Sequence, residues 1–471
     1  MDTPFLGTAY TARSKQLASQ RCINLYLEAV ETKTGYSPFA FFGTPGLDLL
    51  AMCGSGPIRG MDAIEGTLYV VSGTGVYTVN TNFNVSKIGT IATGSGNVSV
   101  IDNGTQVAIF DGLSAYSIIG GAVAPITLPF ANPGKAVYQD GFGLVNETGT
   151  QRFWQSNLFD LTTWNALNFT TESAQTTNII GLGELHRQVY VFKEHGAFVW
   201  VNAGLSGFAF QRLDGVSIDA GCAASGSIAK AGDNLLWLGQ NEQGAGVVYM
   251  VNGYQPQRMS THAIEYAIAQ YPTLTDAFAY SYQQEGHTFY QLTFPSGNDT
   301  WTLDLTTSRQ LGVPAWHQRA YFSNGAFSRH PTSCCQFFAG KVVVGDYESG
   351  NLYAYDLDTF TDAGQPRKWL RSWRARAEAV ERATRINWLE IAAETGVDLG
   401  VDNPQMVLRQ SFDAFNWTQE RFQTLGAVGA TNQRIKFNRL GLERRGLGTD
   451  RIFELSSTDP YKVAMFAAKI G

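Results

Sequence analysis

A short phrase recurs seven times between residues 66 and 357: a β-rich run, a glycine-bearing turn, then a second run carrying Tyr, Phe or Trp. It reads GTLYVVSGTGVYTVN from Gly66, TQVAIFDGLSAYSII from Thr105, KAVYQDGFGLVNETGTQRFWQS from Lys135 and RQVYVFKEHGAFVWVNAG from Arg187. It returns as DNLLWLGQNEQGAGVVYMVNG from Asp233, HTFYQLTFPSGNDTWTLDL from His287 and GKVVVGDYESGNLYAYDL from Gly340. Alternating apolar residues suit strands with one buried face, and the Gly, Asn and Asp between them suit tight turns, so each phrase reads as an antiparallel hairpin. A lone hairpin cannot bury its faces, and a ring of such units solves that problem. Anchors Tyr69, Val107, Tyr138, Tyr190, Leu236, Tyr290 and Val343 lie about 31 to 54 residues apart, near the roughly 40 to 50 residues of a propeller blade. The sequence therefore predicts an all-β fold: a β-propeller of six or seven blades, with an additional C-terminal all-β domain. The step from Val107 to Tyr138 is short for four strands, and one blade split between two phrases would leave six.

The composition fits this class. Only 16% of residues are charged, while 13% are aromatic and 50 are Gly, as in a turn-rich β protein rather than a disordered chain. The net charge of −6 excludes a broadly basic nucleic-acid binder. Charge is uneven, however. From Gln365 onward 17 Lys and Arg face 12 Asp and Glu, a net of +5, leaving −11 for the rest. Such asymmetry suits a polarised assembly or simply two domains with different surfaces. Five cysteines, Cys22, Cys53, Cys222, Cys334 and Cys335, form no CxxC pair, which points to reduced thiols and intracellular folding. The opening MDTPFLGTAYTARSKQ has no apolar core of a signal peptide, and no apolar run of about 18 residues occurs.

Three units are expected: an N-terminal arm over 1–57, the propeller over 58–364 and a C-terminal β domain over 365–471. In the arm, RCINLYLEAVE (21–31) alternates like one long strand. Within the propeller, STHAIEYAIAQY has a Ser260 or Thr261 cap and helical spacing of Ala263, Ile264, Ala267 and Ile268. The C-terminal domain opens on KWLRSWRARA, followed by RINWLEIAAETG, PQMVLRQSFDAFNWTQERFQTLG and QRIKFNRLGLERRGLGTDRIFELSSTDP as further strand groups.

No motif carries recognisable chemistry. SFDAFNWT (411–418) resembles a degenerate Asp-box, one residue short and with Phe415 in place of a glycine, and reads as a structural turn. Asp356, Asp358 and Asp362 lack the Gly and Glu that an EF-hand loop needs, so ordinary Asp turn chemistry is the better reading. The six histidines form no HExxH or close pair, and GLGEL (181–185) lacks the Lys-Ser/Thr of a phosphate loop. No catalytic residue, cofactor or metal is expected. The basic cluster Lys368, Arg371, Arg374 and Arg376, with Arg444 and Arg445, is the candidate contact surface. It suits an acidic partner or weak, sequence-independent phosphate contact.

Several blocks bear a family likeness. RCINLYLEAVE with GTPGLDLL, RFWQSNLFDLTTWNALNFTTESAQTTNIIGLGELHRQVYVF, GDNLLWLGQNEQGAGVVYMVNGYQPQRMSTHAIEYAI and the tail from SFDAFNWT to RIFELSSTDP resemble the packaged-DNA stabilisation, tail hub or nozzle, proteins of short-tailed phages. The likeness implies a structural virion protein in a ring, usually of six copies, below the portal and its adaptor. The ring would extend the DNA channel, help retain the genome and carry a tail needle, spikes or fibres. Genomic duplex DNA would pass through without sequence-specific binding, the site would be the virion tail, and assembly would occur in the host-cell cytoplasm. No enzymatic activity is implied. The alternative is a propeller glycosidase or lyase acting on host-surface polysaccharide. It needs clustered carboxylates, or an Arg triad with a Tyr nucleophile, on one propeller face.

Overall fold

A computed structural model describes the chain except for residues 33, 376–384, 398–400, 402 and 442–450. Seven antiparallel sheets follow one another along the chain, over 58–90, 99–126, 133–171, 179–218, 221–258, 278–318 and 332–356. Their innermost strands are Ile58–Ile64, Ser99–Asp102, Pro133–Gln139, Ile179–Leu185, Ala229–Ala231, Phe278–Gln284 and Thr332–Phe338. Each neighbours the next, and the last abuts the first, so the ring is closed with seven blades. Between successive blades lies a separate apolar core. Val71, Val107 and Ile109 fill the space between blades one and two, and Ile58, Val70 and Val343 that between seven and one.

The recurring phrase is the second and third strands of each blade, such as Thr67–Ser72 with Gly75–Asn80. These middle strands are covered by neighbouring blades on both faces, so they are the most apolar. Blade three departs from the pattern because Tyr138 lies on its innermost strand, one strand early, which explains the short step from Val107. Blade two, meanwhile, is made of strands of four or five residues, so no blade is missing.

Blade seven borrows its outer strand from the start of the chain: Gly46–Met52 pairs with Asn351–Asp356. A Cβ on Gly46 would sit 2.1 Å from the carbonyl oxygen of Thr359, so this crossing has room only for glycine. Upstream of it, residues 22–43 belong to a β-sandwich built with the C-terminal region. One sheet orders Cys22–Ile23, Trp369–Arg374, Ile452–Ser457, Gln405–Ser411 and Arg421–Thr424, and it continues into blade six through Ala315–Gln318. The other orders Leu25–Ala29, Phe39–Gly43, Ala464–Ile470, Trp388–Ala393 and Ile435–Asn438. Phe5, Leu27 and Phe41 from the N-terminal segment share its core with Trp369, Trp373, Leu389, Phe437 and Phe453.

The segment 21–31 is therefore not one strand. It breaks at Asn24, whose φ of 53° turns the chain from one sheet to the other. The Asn24 amide fixes this switch by donating to the carbonyls of Ala320 and Lys368 at 2.8 and 2.9 Å and accepting from the Ala320 N–H at 3.0 Å. The expected helix forms over His262–Ile268, with Thr261 as its cap. A second, Leu305–Leu311, is capped by Asp304 and ended by Gly312 in the left-handed conformation. Strand alternation in TWTLDL masked its start.

Candidate functional site at the junction of the two β units

The sequence-selected basic residues divide sharply by burial. Arg371 points inward from the strand Trp369–Arg374 and is fully buried. Its guanidinium donates to the carbonyls of Phe5 (2.8 Å), Arg21 (3.3 Å) and Thr8 (3.4 Å), and it lies over the Phe41 ring. Burial pulls its pKa down to about 10. Arg371 is thus a clamp on the N-terminal segment, not an exposed contact. Lys368 is half-buried over the Phe322 ring, and half-buried Arg374 donates to the Leu17 carbonyl at 3.0 Å. Arg376, Arg444 and Arg445 lie outside the described residues.

Two further arginines, unremarked in sequence, anchor the same junction. Arg319 and Arg367 are buried on either side of the chain where it passes from the sandwich to the strand Gly46–Met52. Arg319 donates to the Pro45 carbonyl at 3.1 Å and meets His330 Nε2 at 2.8 Å, while Arg367 donates to the Thr44 carbonyl. Asp362 is buried beside them. Burial raises its pKa, and Arg367 and Arg319 oppose that rise. No local spacing links residues 319, 362 and 367 to Pro45, so only the folded chain reveals this cluster.

The propeller axis carries its own polar groups. Lys135, on the innermost strand of blade three, reaches to the carbonyls of Ser225 (3.4 Å) and Ile228, where the chain enters blade five. Burial lowers its pKa to about 8. Asp62 and Asp102 lie on the innermost strands of blades one and two, and Asp62 accepts from the Ala63 N–H at 2.9 Å and from Gln336 Nε2 at 3.3 Å. Burial and then Asp102 push Asp62 up to about 7. Arg59, the nearest arginine in the blade-one strand, is engaged by the carbonyls of Gly73, Thr93, Ser95 and Gly96.

The other motifs resolve into turns. Asp413 accepts from the N–H groups of Phe415 (2.9 Å) and Asn416 (2.7 Å), a structural Asp-box-like turn. Asp356 likewise accepts from the Asp358 N–H and the Thr359 hydroxyl. Gly181 lies on the innermost strand of blade four. Among the described residues no group of three or more His, Cys, Asp or Glu side chains is placed to hold a metal, and no helix is long and apolar enough to cross a membrane.

The family model described as the β-propeller of bacteriophage P22 Gp10 matches residues 1–360, and that described as its β-sandwich matches 368–470. The chain belongs to this phage family. Its members are packaged-DNA stabilisation, or tail hub, proteins, and the chain is a structural protein of a phage virion tail. Among solved structures, the N-terminal domain of Nup159 is 10% identical with a TM-score of 0.41, over 72% of this chain and 99% of that one. The Neurospora crassa Pan2 WD40 domain is 8% identical with a TM-score of 0.42, over 66% and 95%. The WD40 propeller of Doa1 is 10% identical with a TM-score of 0.41, over 66% and 96%. No curated protein matches the chain.

Proposed function

We propose that this protein is the tail hub, or nozzle, subunit: a homo-oligomeric ring, most simply a hexamer, below the portal and adaptor. The ring extends the DNA channel, helps retain the genome and anchors the needle, spikes or fibres, with no chemistry of its own. The family match across both β units carries this reading. The buried junction supports it, because a subunit under packaging pressure needs its two units locked together.

In this reading the DNA conduit lies between copies and not along a propeller axis, where Lys135 of blade three reaches the carbonyls of Ser225 and Ile228 at the entry to blade five. Its wall should be neutral or acidic, since each Lys or Arg paired with phosphate adds affinity and friction. The acidic excess of residues 1–364 can supply that wall. In this reading Lys368, Arg374, Arg376, Arg444 and Arg445 face a neighbouring virion protein or touch phosphate weakly. Assembly in the host-cell cytoplasm fits the free cysteines.

The test is a phage in which the gene for this protein is disrupted. Heads should package DNA, and the particles should lose it and lack tail appendages. Particles that retain DNA and infect without the protein would overturn the proposal.

A further inference from the structure

An exposed apolar knob projects from blade three. Leu158 and Phe159, in the turn between its third and fourth strands, are 54% and 68% exposed. Phe159 holds a φ of 56°, unfavourable for an aromatic residue. The strain is pinned: the Phe159 N–H donates to the Gly141 carbonyl at 2.7 Å, and its own carbonyl accepts from Asn103 Nδ2 at 3.1 Å. Asp160 completes the turn by accepting from the Thr162 N–H and hydroxyl. Gly141 makes room, because a Cβ there would lie 2.7 Å from Leu158 Cδ1 and 2.9 Å from Phe159 Cε1. Strain retained to hold two apolar side chains in water points to a binding role.

A matching socket lies elsewhere on the molecule. The N-terminal segment, the helix His262–Ile268 and the Asp-box-like turn enclose a groove of about 370 Å³. Ala263, Tyr266, Trp301 and Trp417 give it apolar walls, and Arg13, Lys15 and Arg21 outnumber Asp299 in its lining. It has room for one aromatic and one aliphatic side chain, and its cations complement Asp160 beside the knob.

We propose that Leu158 and Phe159 of one copy seat in this groove of the next copy, an inference that rests on the ring reading above. Knob and socket are different surfaces, three blades apart on a seven-bladed ring and so nearly opposite. Such a contact is head-to-tail, so it builds a closed ring or an open filament and not a two-fold dimer.

The test uses phage particles carrying Phe159→Cys together with Tyr266→Cys. Mild oxidation should yield a ladder of covalent oligomers, absent from either single variant and from the parent. Particles that contain the protein but give no ladder overturn the knob-and-socket contact. Particles that never incorporate the parent protein overturn the ring reading instead. As a second measurement, the double substitution Leu158→Ser and Phe159→Ser should leave the melting temperature unchanged and weaken copy-to-copy association roughly thirtyfold, the loss of one hot-spot anchor. Unchanged association of the folded variant would count against the contact.

Discussion

Single side chains at this junction act by holding backbone from distant parts of the chain. Arg371 holds the carbonyls of Phe5, Thr8 and Arg21, the last of which it shares with the Ser372 N–H, so its replacement strands buried acceptors. Arg371→Met is expected to lose about 2–4 kcal/mol in denaturant unfolding. A value within error of the parent would mean that the clamp is dispensable. Asp62 presents the opposite case. Its folded pKa, near 7, lies above the unfolded value, so the folded state binds more protons between roughly pH 4 and 7 and its stability falls as pH rises through that window. Asp62→Asn keeps the oxygen that accepts from the Ala63 N–H and removes the charge. It should raise stability by about 1–2 kcal/mol at pH 8, with the gain vanishing toward pH 4. Melting curves at the two pH values check this, and an equal gain at both would contradict it.

Among the elements, the strand Gly46–Met52 does the most with the fewest residues. It supplies the outer edge of blade seven and delivers the chain from the sandwich. Gly46→Ala would press a methyl group against the Thr359 and Thr361 carbonyls, and should cost about 1–3 kcal/mol and expose blade seven to limited proteolysis. Removing residues 1–57 takes away this strand together with Cys22–Ile23, Leu25–Ala29 and Phe39–Gly43. Both β units should then unfold at lower temperature, and unchanged unfolding of both would refute the shared architecture. The hairpin pairs were legible because their middle strands are covered on both faces and therefore apolar throughout. The strand Ala464–Ile470 was not, since AMFAAKI lacks the strict apolar–polar alternation of a half-buried strand. The helix Leu305–Leu311 is hidden in the sequence because its cap, Asp304, also ends a strand.

At the scale of the whole molecule, the propeller and sandwich share one sheet, from Phe278–Gln284 through Cys22–Ile23 to Arg421–Thr424. A shared sheet and the buried Arg319, Arg367 and Asp362 cluster should make the two units unfold together. Denaturant titration followed by tryptophan fluorescence, which reports on Trp237 and Trp316 in the propeller and Trp373 in the sandwich, should show a single transition. Two well-separated transitions would show that the junction is weaker than its contacts suggest.

What the sequence determined alone was local and periodic: the hairpin repeat, the capped helix at Thr261, the Asp turns and the all-β class, together with the family likeness. Each depends on residues within a few positions of one another, where turn chemistry and alternation act. Tertiary structure decided everything that depends on burial and on partners hundreds of residues away. Arg371 and Arg374 look alike in KWLRSWRARA, yet alternation places one inside and the other at the surface, and only the N-terminal segment passing over Arg371 gives its charge a set of carbonyls to hold. Likewise, nothing local marks Asn24 as the point where one strand becomes two. The carbonyls that fix it, from Ala320 and Lys368, come within reach only when the ends of the chain meet.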